Sequence, residues 1–139
     1  MRKFVAFLVL FYAMAVTSAF AQQADKVLQA QRAAQLWLAS ADAGAYDKTW
    51  DEAAAIFQQA VTKADWKTAV TAVRAPLGNL KSRALSSATY ADDLPGAPKG
   101  DYVVIQYASE FANGGKVVET VTPMLAPDGT WKVAGYYVK

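Results

Sequence analysis

The chain has no cysteine and no histidine. Without cysteine there is no disulfide, no thiol nucleophile and no thiolate metal site. Without histidine, the commonest general base, the commonest zinc ligand and the Ser-His-Asp arrangement are excluded together. Acid–base chemistry would have to rest on Asp, Glu, Lys or Tyr with displaced pKa values. An excess of one charge is missing too, once an N-terminal leader is set aside. Arg2 and Lys3 account for the formal +2, and the other 12 basic residues balance 12 acidic ones. With no clustered basic run, nucleic acid is not an expected partner. Internal repeats and low-complexity tracts are absent.

The leader is legible in the first 21 residues. Arg2 and Lys3 form a positive start, Phe4 to Val16 is unbroken apolar chain, and Ala19-Phe20-Ala21 is a small-x-small cleavage site. The rival reading is an uncleaved anchor, which needs about 20 apolar residues. Ala19-Phe20-Ala21 followed by Gln22-Gln23 fits cleavage better. Residues 22–139 then form one domain, periplasmic or secreted, with no stable membrane anchor after cleavage at Ala21.

Three helices are expected next. Val27, Ala30, Ala34, Trp37, Leu38 and Ala41 recur at the spacing of one helical face from Ala24 to Asp42, and Gly44 is placed to stop it. Tyr46 to Val61 reads as a second helix, with Thr49-Trp50-Asp51-Glu52 as a capping box and Trp50, Ala53, Ala54, Phe57 and Val61 along one side. A third runs from Ala64 to Ala75, with Trp66, Ala69, Val70 and Val73 as its stripe, and ends at Pro76-Leu77-Gly78.

The last third reads as strand. Leu80 to Tyr90 is small and polar, suited to a sheet edge, and the proline- and glycine-rich run 92–100 is a loop. Asn113-Gly114-Gly115 and Pro127-Asp128-Gly129 are hairpin turns between β-branched and aromatic runs. Val103, Ile105, Tyr107 and Phe111 share one face, Gln106 and Glu110 the other. On the last strand Trp131, Val133 and Tyr137 alternate with Lys132 and Tyr136, and Pro123 marks a bulge or a switch to an edge. The fold class is α+β: three N-terminal helices packed on one face of a four-stranded antiparallel meander. A curled sheet around helices is the cone of cystatin-like and nuclear-transport-factor-like domains, which element order alone does not separate.

Trp50-Asp51-Glu52-Ala53-Ala54, Pro76-Leu77-Gly78, Leu94-Pro95-Gly96-Ala97-Pro98, Glu119-Thr120-Val121 and the Trp131 to Tyr137 run resemble a bacterial exported family catalogued as domain of unknown function 4019. The resemblance extends from about Ala33 to Lys139. It implies a small envelope domain and supplies no activity, substrate or catalytic residue.

Candidate sites follow from residue chemistry. Arg74 and Arg83 flank the Pro76-Leu77-Gly78 break and could hold an anion above a pocket walled by Trp50, Trp66 and Tyr107. The plainer reading has Arg74 compensating a helix C-terminus and Arg83 pairing with Asp92, Asp93 or Glu119. Glu119 with Tyr107 and Tyr102 offers a carboxylate base and phenolic donors, provided Glu119 points inward; its phase with Val117 and Val121 allows that. The tryptophans could stack a ligand, but at helical and strand spacing they more often form core. Asp92-Asp93 beside Lys99 and Asp101 matches no calcium-loop spacing and reads as a solvated turn; no metal and no cofactor is expected.

The expected role is a non-catalytic periplasmic binding or interaction domain for an envelope protein, peptide or small molecule. The alternatives are an isomerase- or hydrolase-like enzyme using Glu119 and tyrosines, and a secreted inhibitor, for which no inhibitory loop is visible.

Overall fold

A computed structural model describes residues 2–139, with side-chain surroundings from Val16 onward. Four α-helices precede four strands: α1 (Arg2–Asp42), α2 (Tyr46–Asp51), α3 (Ala55–Ala60), α4 (Lys63–Arg74), then β1 (Leu80–Ala91), β2 (Tyr102–Phe111), β3 (Gly115–Leu125) and β4 (Trp131–Val138). The charged start of the expected leader and nearly all of its apolar run lie outside the residues whose side chains are described. Helix α1 passes through Ala21, and among the described residues no helix is long and apolar enough to cross a membrane.

Helix α1 buries the stripe its spacing announces, with Ala30, Ala34, Trp37, Leu38 and Ala41 all at most 3 % exposed. It ends where Gly44 adopts φ +73°, a left-handed conformation that costs glycine nothing. The Tyr46 to Val61 segment is two helices rather than one, so the helices number four and not three. The break has a definite cause. Ala54 leaves helical geometry (φ −62°, ψ 152°) because its N–H donates to Val133 O of β4 at 2.8 Å. Gln58 Nε2 then donates to Trp50 O and Asp51 O at the end of α2, where the helical carbonyls run short of backbone donors.

The capping box is likewise absent. Thr49 lies inside α2 and is fully buried; its hydroxyl donates to Tyr46 O (2.6 Å) and accepts from Trp66 Nε1 (2.9 Å). Trp37 Nε1 donates to Thr49 O, so one threonine anchors two tryptophans. The side-chain cap sits instead at Thr62, which accepts from the Asp65 N–H at the start of α4. In α4 the buried row is Trp66, Val70 and Arg74, spaced by four, whereas Val73 is 46 % exposed and Ala69 also faces solvent.

The sheet is an antiparallel meander in the order β1-β2-β3-β4, with β1 at an edge. Its inner face carries Val103, Ile105, Tyr107, Ser109 and Phe111 from β2 and Glu119 and Val121 from β3, all buried, and α1 touches every strand. Gln106, Ala108 and Val118 face outward. Pro123 does coincide with a bulge: Thr122 pairs with Gly135 but Pro123 pairs with Val133, leaving Ala134 as the extra residue. That extra residue reverses the phase of β4. Tyr136 therefore turns inward and Tyr137, 58 % exposed, turns out, the opposite of simple alternation from Trp131 and Val133.

Candidate functional site

Two helix ends and the strands of the sheet bring six side chains to one place. Asp42 is the last residue of α1 and Arg74 the last of α4; Arg83 lies on β1, Ser109 on β2, Glu119 on β3 and Tyr136 on β4. The Pro76-Leu77-Gly78 turn fixes the end of α4, because Leu77 O accepts the N–H groups of Asn113 and Gly114 at 2.9 and 3.0 Å. Gly114 is needed there: a Cβ would lie 3.0 Å from Leu77 Cα and closer still to its Cδ2.

Arg83 is the hub. Its Nε donates to Glu119 Oε1 (2.8 Å), while Nη1 and Nη2 grip Asp42 in a fork at 2.8 and 2.9 Å. Arg74 Nη2 donates to Asp42 Oδ1 at 2.7 Å, and its Nη1 donates to Tyr136 OH at 3.2 Å, with Glu119 Oε2 at 3.5 Å. Glu119 also accepts from Ser109 Oγ (2.5 Å) and Tyr136 OH (2.6 Å). Two acids and two arginines thus close into a neutral cluster in which Glu119 is 0 % and Arg74 5 % exposed.

The titration behaviour follows from that packing. Burial alone would raise the Asp42 carboxyl, but hydrogen bonds and charge from Arg83 and Arg74 outweigh it and hold the pKa below the usual value. Burial opposes the charge on both arginines, yet their carboxylate partners raise Arg74 and Arg83 further above the usual range. The Tyr136 phenol is pushed well up by burial and by Glu119 beside it, so it serves as a proton donor in the cluster. Such a cluster stabilises only as a complete set, since each lost partner strands a buried charge.

The sequence candidates are distributed unevenly around this centre. Arg74, Arg83 and Glu119 meet, and Glu119 does point inward. Arg83 takes Glu119 and Asp42 as partners, with Asp92 and Asp93 uninvolved. Tyr107 is the cross-strand neighbour of Glu119, with the Arg83 guanidinium 6.0 Å from its ring centre. Its phenol is raised by burial, and its buried hydroxyl has no partner among the described residues. Tyr102 is elsewhere, donating to Pro98 O at 2.6 Å. Trp50 Nε1 is spent on Val61 O and Trp66 Nε1 on Thr49, and Trp66 is packed against Phe57, Trp37 and Tyr136. Asp101 binds Lys26 and Tyr90, and among the described residues no group of three acids is placed to hold a metal ion.

Sequence reasoning missed Asp42, Ser109 and Tyr136. A signal for Asp42 existed: an acid at a helix C-terminus opposes the dipole, so a cation must compensate it. Tyr136 was hidden by the Ala134 bulge. Ser109 is in phase with Tyr107 and Phe111, which places it inside.

Beside the cluster, between α1 and the β1–β2 face, runs a cleft of about 300 Å³ lined by Gln35, Leu38, Ala39, Asp42, Arg83, Leu85 and Tyr107. Neither Trp50 nor Trp66 borders it. A second hollow, about 320 Å³, lies on the Arg74 side among Asp42, Gly44, Tyr46, Gly78 and Asn79.

Comparison with curated proteins finds no match. A family described as protein of unknown function (DUF4019) matches residues 33–136, a span that includes all six residues of the cluster. On that match over most of its length, the chain belongs to this family.

Proposed function

We propose that this is a non-catalytic binding domain of the cell envelope, exported with cleavage after Ala21, that takes a small molecule in the cleft between α1 and the β1–β2 face. We read the curled sheet as a cone of the cystatin-like or nuclear-transport-factor-like kind, with this cleft at its mouth. The observation that carries the reading is the saturation of Glu119. A general base must reach the proton it removes, but Glu119 is 0 % exposed and both its oxygens accept hydrogen bonds from the fold. The carboxylate that an enzyme would use is thus committed to holding α4 and the sheet together. What stays open is a concave site of mixed polarity, at the small end of the range of ligand pockets.

The test is native mass spectrometry of the protein purified from its host's envelope. Wild type should carry a small molecule that Ala39→Trp, which fills the cleft from an exposed position, does not. Turnover of that molecule by wild type would establish the enzymatic alternative instead.

A further inference from the structure

The walls of the cleft restrict what can enter it. Arg83 is the cation nearest the opening, but its charge is met by Asp42 through two bonds and by Glu119 through a third. Asp42 itself borders the cleft, so an incoming anion meets a carboxylate as well as a guanidinium. An incoming cation meets the reverse. With two positive and two negative groups locked together, the cleft offers no net charge to either. Simple anion capture by Arg74 and Arg83 is therefore disfavoured: Arg74 is buried on the far side, and Arg83 is already neutralised.

Hydrogen-bond donors are in surplus instead. A guanidinium has five N–H groups, and Arg83 spends three, leaving one on each terminal nitrogen. Tyr107, 4 % exposed, forms part of the wall with a hydroxyl that no described group satisfies. Of the three buried polar atoms left without partners among the described residues (Tyr107 OH, Thr120 Oγ1 and Trp131 Nε1), Tyr107 alone borders this cleft. Such a group in a native fold calls for an explanation, because leaving it unmade costs about 1–3 kcal/mol. Leu38, Ala39 and Leu85 supply the apolar remainder, and Leu85 is 51 % exposed on a strand whose outer edge is free.

We infer that the cleft binds neutral, apolar-bodied molecules carrying a carbonyl-type acceptor, which accepts from Tyr107 and from the unspent N–H groups of Arg83. The inference rests on the cleft being the binding site, and adds the class of ligand. Matched pairs of probes test it: benzamide against benzoate, and cyclohexanecarboxamide against cyclohexanecarboxylate, each titrated into the protein. NMR follows the methyl signals of Leu38, Ala39 and Leu85.

The amides should move those signals and the carboxylates should not. Tyr107→Phe should weaken amide binding about fivefold, the loss of one hydrogen bond, with the amide-free spectrum otherwise retained. Ala39→Trp should abolish binding. Carboxylates binding as tightly as amides, or amides binding Tyr107→Phe unchanged, overturns the ligand class while leaving the cleft as the site. If neither probe moves these three signals in wild type, the site assignment falls and the ligand class with it.

Discussion

Glu119→Gln keeps the shape of the buried side chain and removes its charge. In the native cluster the two arginines are balanced by Asp42 and Glu119, with Glu119 0 %, Arg74 5 % and Arg83 14 % exposed at the side chain. After the change Asp42 faces both guanidinium groups alone, and one buried positive charge is uncompensated. The new amide also presents an N–H₂ group where Glu119 accepted from Ser109 and Arg83 on one oxygen, or from Tyr136 on the other. Removing one partner of a buried pair costs about 3–5 kcal/mol. That is a large part of the roughly 5–15 kcal/mol that holds a domain folded.

Urea unfolding followed by tryptophan fluorescence reads the effect. With an m-value of about 1.5 kcal/mol/M, the midpoint should fall by about 2–3 M. The companion double variant Arg83→Leu with Glu119→Leu removes one charge of each sign, leaving Arg74 with Asp42. It should cost clearly less than the two single leucine variants added together, as coupled neighbours do. A Glu119→Gln cost under about 1 kcal/mol, or strict additivity in the double variant, would refute the closed cluster.

The remaining predictions concern the scaffold that positions the cluster. Thr49→Val strands the buried Trp66 N–H and should cost about 2 kcal/mol, lowering the melting temperature by about 8 °C, while Thr49→Ser retains both bonds and stability. Gly114→Ala drives a methyl into Leu77 and should destabilise by about 1–3 kcal/mol in the same assay, loosening the turn that follows Arg74. Asp42 titrates below its unfolded value, so its contribution is present above about pH 4 and is lost as pH falls through the lower folded value. The stability gap between wild type and Asp42→Asn should accordingly be widest near neutrality and narrow below about pH 4; a gap independent of pH would contradict the pairing.

Much of this fold could be read from residue pattern, and the exceptions are instructive. The α1 stripe, both hairpin turns and the meander follow from local spacing and turn chemistry, and the structure has them. The helix count failed at Ala54, where a tertiary bond to Val133 O overrides a segment with good helical periodicity. No local rule announces such a bond. The α4 stripe reads as Trp66, Ala69, Val70 and Val73, but Arg74 is buried in place of Val73 because its charge finds partners 32 residues back at Asp42 and 62 ahead at Tyr136. Simple alternation misfaces Tyr136 because of a single extra residue, Ala134, although Pro123 marks the right place on the opposite strand. The site was therefore half legible: Arg74, Arg83 and Glu119 stood out as charges, while the groups that satisfy them depend on long-range register.

The closed cluster depends most on the Arg83 guanidinium being sealed between Glu119 and Asp42. Proton exchange at arginine Nε, measured by nitrogen-resolved NMR near neutral pH, reports this directly, with the exposed Arg32 as an internal reference. The Arg83 Nε–H, donated to Glu119 at 2.8 Å, should exchange at least about tenfold more slowly than that of Arg32, as for an opening that costs about 1.4 kcal/mol or more. Exchange of Arg83 at the rate of Arg32 would mean that water and substrate reach Glu119, contradicting both the closed cluster and the non-catalytic reading built on it.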